Sequence, residues 1–171
     1  MIINKAMATT QVNPHLKTFG LGMIAGMRSM SAPALISHYL CRVPADNLAG
    51  TPLRYMQNAT VATGLKVLAA SEIIADKLPG TPDRIAPPVL ASRALAGALV
   101  GYTLHQANGE SKWIGGLLGA MGAVAASYGF FYLRKKLTNS TKIPDTAWAV
   151  VEDALMLASG IPLAKTAPTH Q

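Results

Sequence analysis

Apolar residues run in long blocks along this chain, and polar residues gather between the blocks. Five segments approach the ~20 residues a helix needs to cross the hydrocarbon of a bilayer: Thr18–Tyr39, Ala59–Lys77, Pro88–His105, Trp113–Leu133 and Thr146–Ala164. The fourth carries no charged residue from Ile114 to Leu133, so it lacks the polar outer face of a soluble bundle helix. The connections are short and hold helix breakers. Arg42–Gln57 contains Pro44, Gly50 and Pro52; Leu78–Pro87 contains Pro79, Gly80 and Pro82; Gln106–Lys112 contains Asn108-Gly109; Arg134–Asp145 ends in Pro144-Asp145. Proline lacks a backbone donor, and Asn-Gly favours turns. The pattern predicts an all-α integral membrane bundle of about five short helices. It forms one domain over residues 18–164, with tails at 1–17 and 165–171.

Composition sharpens that expectation. Half of the 171 residues are hydrophobic and 13% are charged, against about 25% in an average soluble domain. Gly and Ala replace the large side chains of a soluble core, which suits close helix packing in lipid. The net charge is +7, but the cations lie between apolar segments without interleaved aromatics. They fit loops resting on anionic headgroups, and they do not form a nucleic-acid surface. With the N-terminus inside, Lys5, Lys17, Lys77, Arg84, Arg134, Lys135, Lys136 and Lys142 outnumber Arg42, Arg54, Lys112 and Lys165 on the other side. The positive-inside rule then predicts a cytoplasmic N-terminus and, with five spans, an outer C-terminus. Arg28 interrupts the first apolar run, which therefore reads as an uncleaved helix and not a signal peptide. Cys41 is alone, which rules out an intrachain disulfide and a cysteine metal cluster.

Three glycine pairs have small-xxx-small spacing: Gly22 with Gly26, Gly97 with Gly101, and Gly115 with Gly119. Each pair makes a flat strip on one helix face. The strip can serve packing within the chain, a homo-oligomer, or a partner membrane subunit. The spacing does not choose among them.

Ionisable residues inside the segments are the unusual chemistry: Arg28, Lys66, Glu72, Asp76, Arg93, Glu152 and Asp153, with Lys77 at a segment end. Each costs about 2.5–3.5 kcal/mol at the centre of a membrane helix. They are expected to face one another, a wet cavity or the headgroups. Glu72 and Asp76 share a helix face at i, i+4, and Arg28 or Arg93 can bridge to them. Arg28, Glu72, Asp76, Arg93, Glu152 and Asp153 come from four segments at similar depth, with two carboxylates in excess. Such a surplus binds a cation or holds protons, unless the network only fixes helix packing. Ser29, Ser31 and Pro33 mark a second feature. Pro33 removes a donor inside the first segment, and a broken helix beside a charge is how many transporters build a mid-membrane site. The plainer reading is a proline kink with serines bonding back to the helix.

The string Gly22-x-x-x-Gly26-Met27-Arg28-Ser29-Met30 with Pro33, then Glu72-x-x-x-Asp76-Lys77-Leu78-Pro79, Pro82-x-Arg84, Pro87, Arg93-x-x-x-Gly97-Ala98 and Glu152-Asp153-Ala154 resembles the bacterial domain-of-unknown-function family four-one-two-six. The resemblance covers residues 18–160. It implies a small multi-pass protein of the bacterial inner membrane and carries no activity, substrate, cofactor or catalytic residue.

Three functions compete. The first is transport of a small ion or polar solute through the Arg/Glu/Asp cluster. The second is a structural or assembly subunit that docks partner helices on its glycine strips. The third is a metal-dependent enzyme acting on lipid headgroups, in which the carboxylates hold Mg²⁺. No nucleophile motif, histidine pair or phosphate loop supports the third. His38 and His105 are isolated in the sequence and read as interfacial. No cofactor or resident metal is assigned.

Overall fold

The computed structural model describes residues 13–75, 85–140 and 145–165, with side chains except at 137–149, 152, 153 and 165. All regular structure among them is helical: α1 (Pro14–Met27), α2 (Ser31–Leu40), α3 (Ala59–Ala75), α4 (Pro87–Ala107), α5 (Lys112–Ser140) and α6 (Asp145–Lys165), with two short 3₁₀ turns between α2 and α3.

Local sequence sets most of the boundaries. Asn13 caps α1, accepting from the His15 amide at 3.0 Å, and Pro14 supplies a fixed φ at the first position. Asn58 accepts from the Thr60 amide at 2.8 Å as α3 begins. Pro87 and Pro88 open α4, where no intrahelical donor is needed. Its far end closes in a Schellman turn. Glu110 donates its amide to the His105 carbonyl at 2.8 Å and Gly109 to Gln106 at 3.2 Å, with Gly109 at φ 72°.

The first expected span is not one helix. It divides at Arg28–Met30 into α1 of 14 residues and α2 of 10, about 21 Å and 15 Å long. These two helices run in opposite directions relative to α4. His15 of α1 lies beside His105 near the end of α4, and Gly26 lies beside Arg93 near its start. After the break, Ser29 meets Ser92. The chain beyond α2 then returns to the far end of α4, where Asn47 Nδ2 donates to the Ala107 carbonyl at 3.1 Å. Segment 18–39 is thus a helical hairpin with both ends at the His105 end of the bundle. Leu163 of α6 packs on Gly20 of α1, which brings the end of α6 to the same side as the start of α1. The expectation of opposite ends for the two termini rested on counting 18–39 as one crossing.

Glycine lets the central helices approach closely. A Cβ on Gly22 would collide with the carbonyl of Gly119, and one on Gly26 with that of Ala123. Gly97 meets Gly119 in the same way, and Gly101 meets Gly115. All three small-xxx-small strips are therefore spent within the chain, joining α1, α4 and α5. Around them Leu21, Ile24, Ile36, Leu40, Val100, Leu104 and Met156 fill the core.

Among the described residues, one helix is long and apolar enough to cross a membrane, over Lys112–Lys136, and 33% of its most apolar 18-residue stretch is buried. A second apolar stretch, Ala154–Ala164, is shorter. α1 and α2, of 14 and 10 residues, fall well below the required length, and the 17 described residues of α3 reach only its lower limit. The five-span expectation thus reduces to an all-helical bundle with one clear spanning candidate.

Candidate functional site

The break between α1 and α2 frees backbone groups that must find partners, since an unpaired buried polar group is costly. In a continuous helix Ser29 and Met30 would donate to Ala25 and Gly26. Here Arg28 is extended, at φ −148° and ψ 122°, and the following amides point elsewhere. Ser29 N donates to Glu72 Oε1 and Met30 N to Glu72 Oε2, each at 2.9 Å. One carboxylate from α3 thus takes both lost donors, in charge-assisted bonds. It also sits at the N-terminal end of α2, where the helix dipole favours an anion.

The freed acceptor is taken from the other side. Arg93 Nη1 donates to the Gly26 carbonyl at 2.7 Å, and Ser127 Oγ reaches the same oxygen at 3.2 Å. The single Ser127 hydroxyl proton is shared with Ala123 O, which is closer at 2.8 Å. Arg28 lies within 3.5 Å of the Glu72 carbonyl through Nη1, and Ser29 Oγ lies 3.4 Å from Ser92 Oγ. Arg28, Ser29, Arg93 and Ser127 are buried, and Glu72 is half-buried.

Four of the expected site residues therefore converge: Arg28, Ser29, Glu72 and Arg93. Within the described contacts, Glu72 is bound through its carboxylate by backbone amides, and Arg93 binds a backbone carbonyl. Arg28 and Arg93 also make further polar contacts. Asp76 and Lys77 lie outside the described residues. Glu152 and Asp153 lie on α6, but their side chains are outside the described set. Lys66 is exposed.

Pro33 plays a different part from the one expected of it. It sits in the first turn of α2, where its missing donor leaves little unpaired. The break precedes it, and tertiary partners satisfy it where local serines were expected to. Ser31 is buried, and its amide makes a turn bond to Arg28 O at 3.3 Å.

Two contributors escaped the sequence reading. Ser127 sits in an apolar run that gives no hint of its target. At the opposite end of the bundle, His105 Nδ1 lies 3.1 Å from Glu110 Oε2, and the His15 ring stands 5.3 Å from that of His105. The sequence signal was the Asn108-Gly109 turn, which folds Glu110 back onto His105.

A family model described as a domain of unknown function (DUF4126) matches residues 16–169, and the chain belongs to that family. No curated protein and no solved structure matches the chain.

Proposed function

We propose that the protein is an integral membrane protein that handles a small ion or polar solute at the break between α1 and α2. The observation that carries this reading is the Glu72 carboxylate on the Ser29 and Met30 amides. Amides at a helix break form a ready anion site. Glu72 occupies that site as a built-in anion, and its displacement would free both donors for a substrate.

Membrane residence is supported by where the large apolar side chains lie. α3 buries Ala62 while exposing Val67, Leu68 and Ile74. Leu95 is 70% exposed on α4, and Leu117 is 64% exposed on α5. Exposed apolar surface spread over several helices suits lipid contact better than water. In that setting the α1–α2 hairpin enters and leaves on one face, and α3 to α6 are the crossing helices. Irregular backbone at membrane depth is tolerated where it is buried in protein, as this break is. The hairpin also changes the charge count, because it brings Arg42 and Arg54 to the same end of the bundle as Lys17.

A second reading has its own support. Glu72 and Arg93 already hold backbone groups, so the network can be purely architectural. Docking of partner helices on the glycine strips loses its basis, because those strips are filled within the chain.

Thermal unfolding of the detergent-purified protein separates the readings. A ligand that binds the native state raises the midpoint with concentration. The site reading expects wild type to respond to a cation, an anion or pH, and a folded Glu72→Gln variant to lose that response. No response in wild type, with Glu72→Gln simply less stable, would leave the architectural reading.

A further inference from the structure

We propose that His15, His105 and Glu110 form a binding site for a divalent transition-metal ion of the zinc class, at the end of the bundle opposite the helix break. One donor atom from each residue lies within 4.8 Å of the others. The residues are far apart in sequence, and three local devices bring them together. The Asn13 cap and Pro14 set His15 in the first turn of α1. The close approach of α1 to α4 stacks the two imidazoles at a 34° tilt. The Schellman turn at Gly109 returns Glu110 to the His105 that began it.

His105 supplies the independent sign of a missing partner. Its side chain is fully buried, yet no well-formed hydrogen bond reaches either ring nitrogen or Glu110 Oε2, the Ser111 backbone being a further polar group beside the ring. The 3.1 Å between His105 Nδ1 and Glu110 Oε2 lacks hydrogen-bond geometry. It does match the ~3.3 Å that separates two donors on a tetrahedral ion with bonds of about 2.0–2.1 Å. The ring is fixed in place, because Gly115 of α5 packs so closely that a Cβ there would strike it. His15 is exposed, so its side chain is free to close the remaining gap. Two imidazoles and a carboxylate suit zinc-class ions better than Mg²⁺ or Ca²⁺, which prefer all-oxygen sites. Three protein ligands with one exposed member leave a fourth position for water or another ligand.

The test uses the untagged full chain, purified in detergent and stripped with a chelator. It is titrated with Zn²⁺ by calorimetry and with Co²⁺ by visible absorption. Wild type is expected to bind one ion per chain, to gain thermal stability with it, and to show Co²⁺ bands of low coordination number. His15→Ala changes an exposed residue and Glu110→Gln is close to isosteric, so both should stay folded. Each should lose more than the ~10–100-fold in affinity that an outer-shell partner is worth. Gly129→Ala, toward the other end and with open space around it, should bind as wild type does. Absence of saturable binding in wild type, or unchanged binding in both His15→Ala and Glu110→Gln, would overturn the proposal.

Discussion

Met30 N and Gly26 O, which a continuous helix would join to each other, are each bonded to a side chain from another helix. The amide goes to Glu72 of α3 and the carbonyl to Arg93 of α4. The break is therefore a tertiary construction. α3 and α4 hold the two halves of a lost helical bond, and Ser127 of α5 adds a second grip on the carbonyl.

Glu72→Gln should lower stability by about 1.5–3 kcal/mol, the worth of hydrogen bonds to a charged group. A Gln side chain offers one acceptor oxygen, so one of the Ser29 and Met30 amides is left without its bond. Glu72→Ala should cost more, because both amides lose theirs. Denaturant or thermal unfolding in detergent checks the order wild type, Gln, Ala. Equal midpoints would show that the carboxylate is not holding the break.

Arg93→Met should destabilise by about 3 kcal/mol or more, since it removes a buried charge-assisted bond and strands any partner of the guanidinium. Arg93→Lys should recover part of the loss. Ser127→Ala shares the Gly26 acceptor with Arg93, so a double-mutant cycle should give a coupling of about 0.5–3 kcal/mol. Strict additivity would mean that the two donors act independently.

Glycine substitutions should divide by position. Gly119→Ala places a methyl against the Gly97 carbonyl, a backbone clash that should cost about 1–3 kcal/mol. Gly129→Ala and Gly64→Ala meet nothing within 4 Å and should gain up to ~1 kcal/mol from helix propensity. Unfolding midpoints of the three variants settle this, and a neutral Gly119→Ala would contradict the close α4–α5 approach.

The hairpin makes a topological prediction. In a Cys41→Ser background, single cysteines at Asn13 and Asp46 should react with an impermeant maleimide from the same side of sealed vesicles. A cysteine at Lys136 should react from the other side. Labelling of Asn13→Cys and Asp46→Cys from opposite sides would restore a first helix that crosses once.

The apolar blocks and their breakers made the helices legible. Pro87, Pro88 and Asn108-Gly109 mark ends through bonds to near neighbours, and such rules need no knowledge of the fold; the Asn13 cap, which starts α1 inside the expected tail, was passed over. The stretch from Arg28 to Pro33 was legible as a disturbance of the first segment, as a kink or a break centred on Pro33, and the small-xxx-small spacing marked the faces that pack. The direction of α2 after the break was not legible, because a kink and a hairpin place the same residues in the same order.

The sequence by itself determined an all-helical chain, some of its helix ends, a disturbed first segment and the glycine faces, since each depends on interactions within a few residues. Tertiary structure decided that segment 18–39 doubles back, that Glu72 and Arg93 hold backbone groups, and that His15 meets His105 and Glu110. Those outcomes depend on which helix faces touch. A backbone amide or carbonyl is the same in every residue, so nothing in the sequence names the side chain it will bind.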